Sequence, residues 1–223
     1  MGLWVTYLLI ALLAWAFKFP WLALAAVVLF LARRWLPDPV VWLATMRRVR
    51  ELRARADALP ADLLTRRDLA RLLLQRGRAF EGERLLVEAI AKGLRDPEAF
   101  HLLGLARLAL HDPEGALDPF VRAVAGNDRF LMGDPYVAAA EALTQLARFE
   151  EAEDALDRAL AVNTSRVDAQ VLLARTRAAR GDTRGARTAY EAAVRTWNDL
   201  PDFLRWKMFP HYLVARFASW FAR

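Results

Sequence analysis

Small and large apolar residues recur along residues 63–200 with a period of 34 to 36 positions. In frames that start at positions 63, 97, 133 and 167, the eighth and twentieth positions are always small. These small residues are Ala70, Gly104, Ala140 and Ala174, followed by Gly82, Ala116, Ala152 and Ala186. A period of this length is typical of a repeated pair of helices.

Further columns of these frames complete the pattern of a stacked helix pair. The large residues are Leu86, Phe120, Leu156 and Tyr190, and a third small column holds Ala89, Ala123, Ala159 and Ala193. Small residues let two helices approach closely, while a large residue fills the space between neighbouring pairs. Because one pair cannot bury its apolar side alone, residues 63–200 are predicted to form four stacked pairs.

This order of small, aromatic and alanine positions resembles the tetratricopeptide repeat (TPR). The second frame carries Phe100, Leu103, Gly104, Ala116, Phe120 and Ala123 at the family's positions, and the third frame adds Tyr136, Phe149, Ala152 and Ala159. In the outer frames, Gly82 replaces the usual alanine and Gln170 stands at an aromatic position. The resemblance implies an all-α, right-handed TPR-like α-solenoid of about four helix pairs, with repeats at 63–96, 97–130, 133–166 and 167–200.

Asp-Pro dipeptides mark predicted helix starts at Asp96-Pro97, Asp112-Pro113 and Asp134-Pro135. The aspartate accepts a hydrogen bond from a free amide at the helix start, and proline lacks the amide that would otherwise stay unpaired. A fourth dipeptide, Asp118-Pro119, falls inside a predicted helix, where the proline is either tolerated or expected to kink or shorten the helix. Two extra residues within 127–133 are expected to lengthen the adjoining loop.

Residues 3–32 are predominantly apolar with Lys18 as their only charge, and the stretch is too long for a helix of a soluble core. The length of this stretch is greater than one membrane-spanning helix needs and less than two full spans need. The residues Lys18-Phe19-Pro20 interrupt it near the middle. We therefore predict a transmembrane hairpin at 1–36, with helices over 2–17 and 20–35, in preference to one kinked span. A cleaved signal peptide fits less well, because no basic residue precedes Lys18.

Aromatic and basic residues flank this apolar stretch, as they do at membrane interfaces. The predicted interface residues are Trp4, Trp15, Lys18, Trp21, Arg33, Arg34, Trp35, Arg47 and Arg48. Arginines close to a membrane span remain on its cytoplasmic side. The repeats are therefore expected to face the cytoplasm, at the inner membrane of a bacterial-type cell.

The formal net charge of +6 is concentrated outside the repeats. Residues 1–62 contribute +4 and residues 201–223 contribute +3, so the repeats themselves carry −1. A nucleic-acid-binding protein is expected to carry its basic residues on the folded binding surface, so this distribution argues against nucleic acid. It favours anionic lipid headgroups, which attract basic segments beside a membrane.

Two amphipathic segments flank the repeats. The basic juxtamembrane segment 37–62 is predicted to be a helix that lies on the membrane or packs on the first repeat. Its apolar line comprises Trp42, Met46, Val49, Leu52, Ala56 and Leu59. In the segment 201–223, Leu213, Phe217, Trp220 and Phe221 share one helical face. That segment is expected to cap the solenoid. Two hypotheses stay open: it acts as a cap alone, or it also lies on the membrane surface or against the hairpin.

Residues suited to catalysis or metal binding are sparse in this chain. It has no cysteine, and His101, His111 and His211 are far apart in sequence and lack a paired ligand motif. No glycine-rich phosphate loop or nucleophile elbow occurs. We therefore expect no catalytic residue, no metal and no cofactor, and the protein is not expected to be an enzyme.

In the TPR family, the ligand usually lies on the concave surface formed by the first helix of each repeat. The resemblance places there Arg67, Arg71, Gln75, His101, Leu105, Leu108, Val137, Glu141, Gln145, Val171 and Arg175. An apolar middle with basic residues near each end would suit an amphipathic helix or an extended peptide with acidic flanks. Arg67 and Arg71 are expected to project into solvent.

These features together predict a membrane-anchored TPR adaptor that binds protein partners at the cytoplasmic membrane face. The alternative is an accessory subunit of a membrane-bound biosynthetic or respiratory enzyme, which would have the same layout of apolar segment and repeats. Peripheral binding of lipid or nucleic acid through the arginine segment is a third hypothesis.

Overall fold

The computed structural model describes residues 39–221, with side chains from 43 to 218. Within this range the chain forms ten α-helices and a short 3-10 helix, Phe130–Gly133. The α-helices are α1 Pro39–Ala58, α2 Leu63–Gln75, α3 Ala79–Ala91, α4 Pro97–Ala109, α5 Pro113–Val124, α6 Asp134–Gln145, α7 Phe149–Val162, α8 Val167–Ala179, α9 Thr183–Asp199 and α10 Asp202–Phe221.

The predicted transmembrane hairpin at 1–36 lies outside the described residues. The same holds for its predicted interface residues Trp4, Trp15, Lys18, Trp21, Arg33, Arg34 and Trp35. Between residues 39 and 221, no helix is both long and apolar enough to cross a bilayer.

Helices α2 to α9 form four pairs. A tight turn joins the two helices of each pair, and each helix packs against the next along the chain. The first helices of successive pairs (α2, α4, α6 and α8) also contact one another. In the described part of the chain, the second helices make no contact of that extent with each other. The first helices therefore line the inner, concave side of the stack. A hydrogen bond of 2.9 Å between the hydroxyl groups of Thr144 and Thr176 joins α6 to α8 on that side.

The small columns of the repeat lie where helices touch. Ala70, Ala140 and Ala174 are completely buried at the eighth position of their frames. At the same position of the second frame, a Cβ added to Gly104 would lie only 2.4 Å from Cε1 of Phe120. Glycine is needed there because the ring of Phe120 is itself buried in the core.

Helices α4, α5 and α6 begin at or beside the predicted prolines, but only one of the three aspartates caps its helix through the side chain. Asp112 Oδ1 accepts a hydrogen bond from the Gly115 amide at 2.9 Å. The carboxylates of Asp96 and Asp134 accept hydrogen bonds from arginines instead. The predicted side-chain caps at these two positions are therefore wrong. Arginines bind both carboxylates, and Asp134 is itself the first residue of α6, with Gly133 at the N-cap.

Pro119 is tolerated inside α5, which continues to Val124. In a regular helix, the amide of residue 119 would donate to the carbonyl of Gly115, and proline has no such amide. The Nη1 group of Arg107 on α4 donates to that carbonyl at 2.6 Å. The helix is not shortened, because a side chain from the neighbouring helix supplies the missing donor.

Helix α1 covers the N-terminal end of the stack. Val49, Leu52 and Ala56 are buried in one cluster with leucines of α2, so α1 packs on the first pair, one of the two arrangements that the sequence left open. Arg47 and Arg48, which were predicted to lie at the membrane interface, are exposed. The amphipathic pattern thus directs the apolar side inward and the arginines outward.

Helix α10 covers the other end. Leu204 and Met208 pack on the core cluster of the third and fourth pairs, and Ala215 is fully buried within it. Tyr212 stacks on Trp197 of α9, with the ring centroids 4.0 Å apart. The predicted capping role of this segment is present, and the side of α10 that faces away from the stack stays open.

Candidate partner-binding surface

The predicted groove residues lie on the first helices of the four pairs, but they differ in exposure. Gln75, Glu141, Gln145 and Arg175 are exposed, and Arg67, Arg71, Leu105, Leu108 and Val137 are half-buried. His101 and Val171 are only 6% and 4% exposed. These two side chains belong to the interior, so the surface open to a partner is narrower than the TPR resemblance implied.

Arg67 and Arg71, at the N-terminal end of this surface, are held in a cluster of ion pairs. Arg67 donates from Nη1 to Asp96 at 2.8 Å and from Nη2 to Asp68 at 2.7 Å, and Arg71 donates to Glu98. Burial opposes the charge of Arg67, but its hydrogen bonds to Asp96 and Asp68 outweigh burial and raise its pKa. The expectation that both arginines project freely into solvent is wrong, because acids of the next pair reach and neutralise them.

A similar cluster joins the third pair to the fourth, and sequence reasoning missed it. Arg166 donates from Nη1 to Asp134 at 2.6 Å and from Nη2 to Asp168 at 2.5 Å. Glu98, Asp134 and Asp168 all stand at the second position of their frames, a regularity that could have revealed both clusters. Each cluster links one pair to the next along the edge of the concave surface.

His101 lies in an aromatic pocket behind the same surface. Its ring centroid is 5.8 Å from that of Phe120 and 6.4 Å from that of Phe130, and its Nδ1 has no hydrogen-bond partner among the described residues. Burial lowers the pKa of His101, while the carboxylate of Asp134 acts weakly in the opposite direction. The imidazole is therefore neutral at pH 7 and contributes shape rather than charge.

The centre of the surface combines a small apolar area with open polar side chains. Leu105 and Leu108 pack partly into the core around Phe120 and leave only their edges accessible. Glu141 and Gln145 lie one turn apart on α6 and are exposed. Such a surface can hold a peptide or helix through a narrow apolar contact and hydrogen bonds from carboxylate and amide groups.

A second depression, which sequence reasoning also missed, lies between the second helices α5 and α7. Its volume is about 550 Å³, and its apolar wall includes Leu117, Val121 and Leu143. Arg148 and Glu151 lie at its rim and form a bidentate ion pair, with both hydrogen bonds at 2.7 Å. The combination of charged rim and apolar wall follows from the gap between these two second helices.

Several solved structures share this fold. The crystal structure of MamA has a TM-score of 0.62 and 17% identity, over 67% of this chain and 81% of that chain. YrrB, described as a TPR protein with an unusual peptide-binding site, has a TM-score of 0.65 and 18% identity, over 79% of this chain and 86% of that one. TTC0263, a thermophilic TPR protein from Thermus thermophilus, has a TM-score of 0.60 and 20% identity, over 81% of this chain and 97% of that one.

No family model and no curated protein matches the chain. The identities to the solved structures are low, so the likeness establishes the fold. The predicted all-α, TPR-like solenoid is confirmed for the described residues.

Proposed function

We propose that this protein is a non-enzymatic adaptor that binds protein partners on the concave surface of its TPR-like solenoid. The observation that carries the proposal is the continuous inner surface of the stack. It is formed by the first helices of the four pairs, α2, α4, α6 and α8, which contact one another in succession. YrrB, a structure with the same fold, is described as having a peptide-binding site. A surface built from the faces of several helices suits an extended or helical peptide rather than a small substrate.

The contacts available to a partner lie in the middle and C-terminal parts of this surface. Arg67 and Arg71 already neutralise three carboxylates, so they offer little attraction to an acidic ligand. Glu141, Gln145 and Arg175 remain exposed beside the half-buried edges of Leu105, Leu108 and Val137. We therefore expect a partner with a small apolar contact flanked by polar groups of mixed charge, in place of the acidic-flanked peptide expected from the sequence.

Membrane anchorage is the second element of the proposal. The apolar run at 3–32 and the arginines that follow it support a hairpin that holds the repeats at the cytoplasmic face of the inner membrane. The exposed arginines of α1, among them Arg47 and Arg48, would then face anionic headgroups. The adaptor would recruit its partners to that surface.

The proposal predicts that reversing the charge at the centre of the concave surface prevents partner capture. We expect Glu141→Arg combined with Gln145→Arg to lose the partners that copurify with the wild-type chain in mild detergent, because both side chains are exposed on α6. The matched control is Asp157→Arg, an exposed acid on the second helix α7, which should retain the partners.

The identity of the copurifying partners distinguishes between the two hypotheses that the sequence suggested, the adaptor and the accessory subunit. Soluble clients in the eluate would support the adaptor, and one membrane enzyme in a fixed ratio would support the accessory subunit. Equal recovery of partners from the double variant and from Asp157→Arg would rule out the concave surface as the binding site.

A further inference from the structure

Helix α10 has one apolar side in the core and a second apolar line in solvent. The outer line, called here the aromatic stripe, comprises Phe203, Trp206, Pro210, Leu213 and Phe217. Successive members are three or four residues apart, so they lie along one side of the helix. Phe203 and Trp206 are 76% and 83% exposed. Large aromatic side chains held this far out of a core mark an interaction surface.

Basic residues border the aromatic stripe. Lys207 and Arg216 are exposed on α10. Asp202, the only acid between residues 202 and 221, pairs with Arg205 at 3.1 Å. The guanidinium of Arg205 also lies 5.5 Å from the ring centroid of Trp197. The electrostatic field over this side of α10 is therefore positive.

Charge argues against a second copy of the chain as the occupant. The helix α10 carries three basic residues against one acid, and α1, at the other open end of the stack, carries five arginines against two acids. Stacking of α10 on itself or on α1 would bring like charges together, which opposes docking. An anionic surface of low polarity complements both the aromatic rings and the basic border.

These properties are those of helices that lie in the interface of a lipid bilayer. Such helices place aromatic and aliphatic side chains at the boundary between headgroups and acyl chains, with Lys and Arg directed to the headgroups. The 3–32 apolar run of the same chain would bring the solenoid beside a bilayer. In that position, a fixed α10 can use its aromatic stripe without any change of fold, because the opposite side already packs on α8 and α9.

We propose that α10 lies on the anionic membrane surface, with the aromatic stripe immersed in the interface, and so fixes the orientation of the solenoid against the bilayer. The proposal rests on the membrane anchorage proposed above for bringing the chain to the bilayer. It assigns to the lipid a surface that the concave groove does not use, so a partner and the bilayer can be bound at the same time.

The absence of cysteine from the chain permits a direct test on the full-length protein. Single variants Phe203→Cys and Phe217→Cys are labelled with the fluorophore NBD and reconstituted into vesicles of phosphatidylcholine, with and without phosphatidylglycerol. We expect blue-shifted emission and several-fold stronger quenching by nitroxide-labelled lipid than at the control site, and a larger effect with phosphatidylglycerol. The matched control is Phe80→Cys, because Phe80 is 69% exposed near the start of α3 and lies on another side of the stack.

The outcomes distinguish this inference from the anchorage on which it rests. Labels at 203 and 217 that respond to lipid quencher no more than the label at 80 would overturn the inference. Protection from both lipid quencher and aqueous iodide would also overturn it, because protein would then cover the stripe. A label at Leu24→Cys reports on the apolar run: quenching at 24 without quenching at 203 refutes only the α10 proposal, and the reverse refutes only the anchor.

Discussion

The junction between the second and third helix pairs differs from the two junctions that flank it, although all three use the same repeat positions. In the first junction Glu83 receives a hydrogen bond from Arg107 at 3.2 Å, and in the third junction Glu153 receives one from Arg177 at 3.0 Å. Both glutamates stand at position 21 of their frames, and both arginines at position 11 of the next frame. In the middle junction these positions hold Leu117 and Leu143.

The difference shows that one backbone site can carry two kinds of contact. The ion-paired side chains are half-buried, so each pair keeps some hydration while it bridges two repeats. Leu143 is buried in a core cluster against which Leu117 packs, and both residues also line the depression between α5 and α7. At these two positions, the middle junction therefore has apolar packing instead of an ionic bridge, and an apolar depression stays open beside it. An ion pair of this junction lies elsewhere, between Arg148 and Glu114 at 3.6 Å.

The largest expected effect comes from introducing a charge into the middle junction. We expect Leu143→Arg to lower the free energy of unfolding by roughly 3 kcal/mol, because the arginine would be buried opposite Leu117 instead of a carboxylate. Urea unfolding of the full-length chain in mild detergent, followed by helical circular dichroism, measures the loss.

The matched control is the double variant Leu117→Glu with Leu143→Arg, which copies the residues of the two flanking junctions. It should be more stable than Leu143→Arg alone. If the double variant were no better than the single variant, the equivalence of the three junctions would be incorrect.

A smaller effect separates the two ionic junctions from each other. Arg107 donates both to Glu83 and to the Gly115 carbonyl, which Pro119 leaves without its usual donor. Removal of Arg107 therefore leaves two acceptors without this partner. Removal of Arg177 leaves Glu153 with a second partner, Arg180, at 2.9 Å. We expect Arg107→Ala to cost about 1–2 kcal/mol, and Arg177→Ala less than about 1 kcal/mol, in the same unfolding assay.

Pro119→Ala supplies the control for this interpretation. An alanine at 119 restores the amide donor to the Gly115 carbonyl, so Arg107→Ala should cost less in that background than in the wild type. An unchanged cost would mean that the bond from Arg107 to the carbonyl does not contribute to stability.

The smallest effect is a pH dependence centred on His101, which lies against Phe130 in the loop of the middle junction. Burial lowers the folded-state pKa of His101 below its ordinary value of 6.5, so the unfolded chain binds more protons than the folded chain just below that pH. Its contribution to stability is present in full above pH 6.5 and is lost as the pH falls through the lower, folded-state pKa.

Denaturant midpoints measured between about pH 7.5 and 5 should show this loss in the wild type and less of it in His101→Phe. The aromatic replacement keeps the contacts with Phe120 and Phe130, so it removes the titration with little change in shape. An identical slope in both proteins would show that His101 is not the titrating group.

The sequence by itself determined the helix pairs, because the size of side chains along one helix and the proline at a helix start both act on the backbone within a few residues. Alternation of size at fixed positions reports which side of each helix is buried, and the prolines at 97, 113 and 135 report where helices start. The net charges of the repeats and of the two flanking segments could likewise be counted from the sequence alone. The resemblance to TPR proteins added the concave surface, but not the exposure of its residues.

Tertiary structure decided which of these side chains remain available to a partner. Arg67 and Arg71 meet acids that lie 29 and 27 residues further along the chain, and Arg166 meets Asp134 from 32 residues before it. The repeat places the acids of two of these pairs at one position of the frame, but their arginine partners are reached only when one helix pair stacks on the next. The burial of His101 and the exposure of the aromatic stripe on α10 have the same origin. Amphipathic pattern identifies an apolar side, but only the stack determines whether another helix covers it.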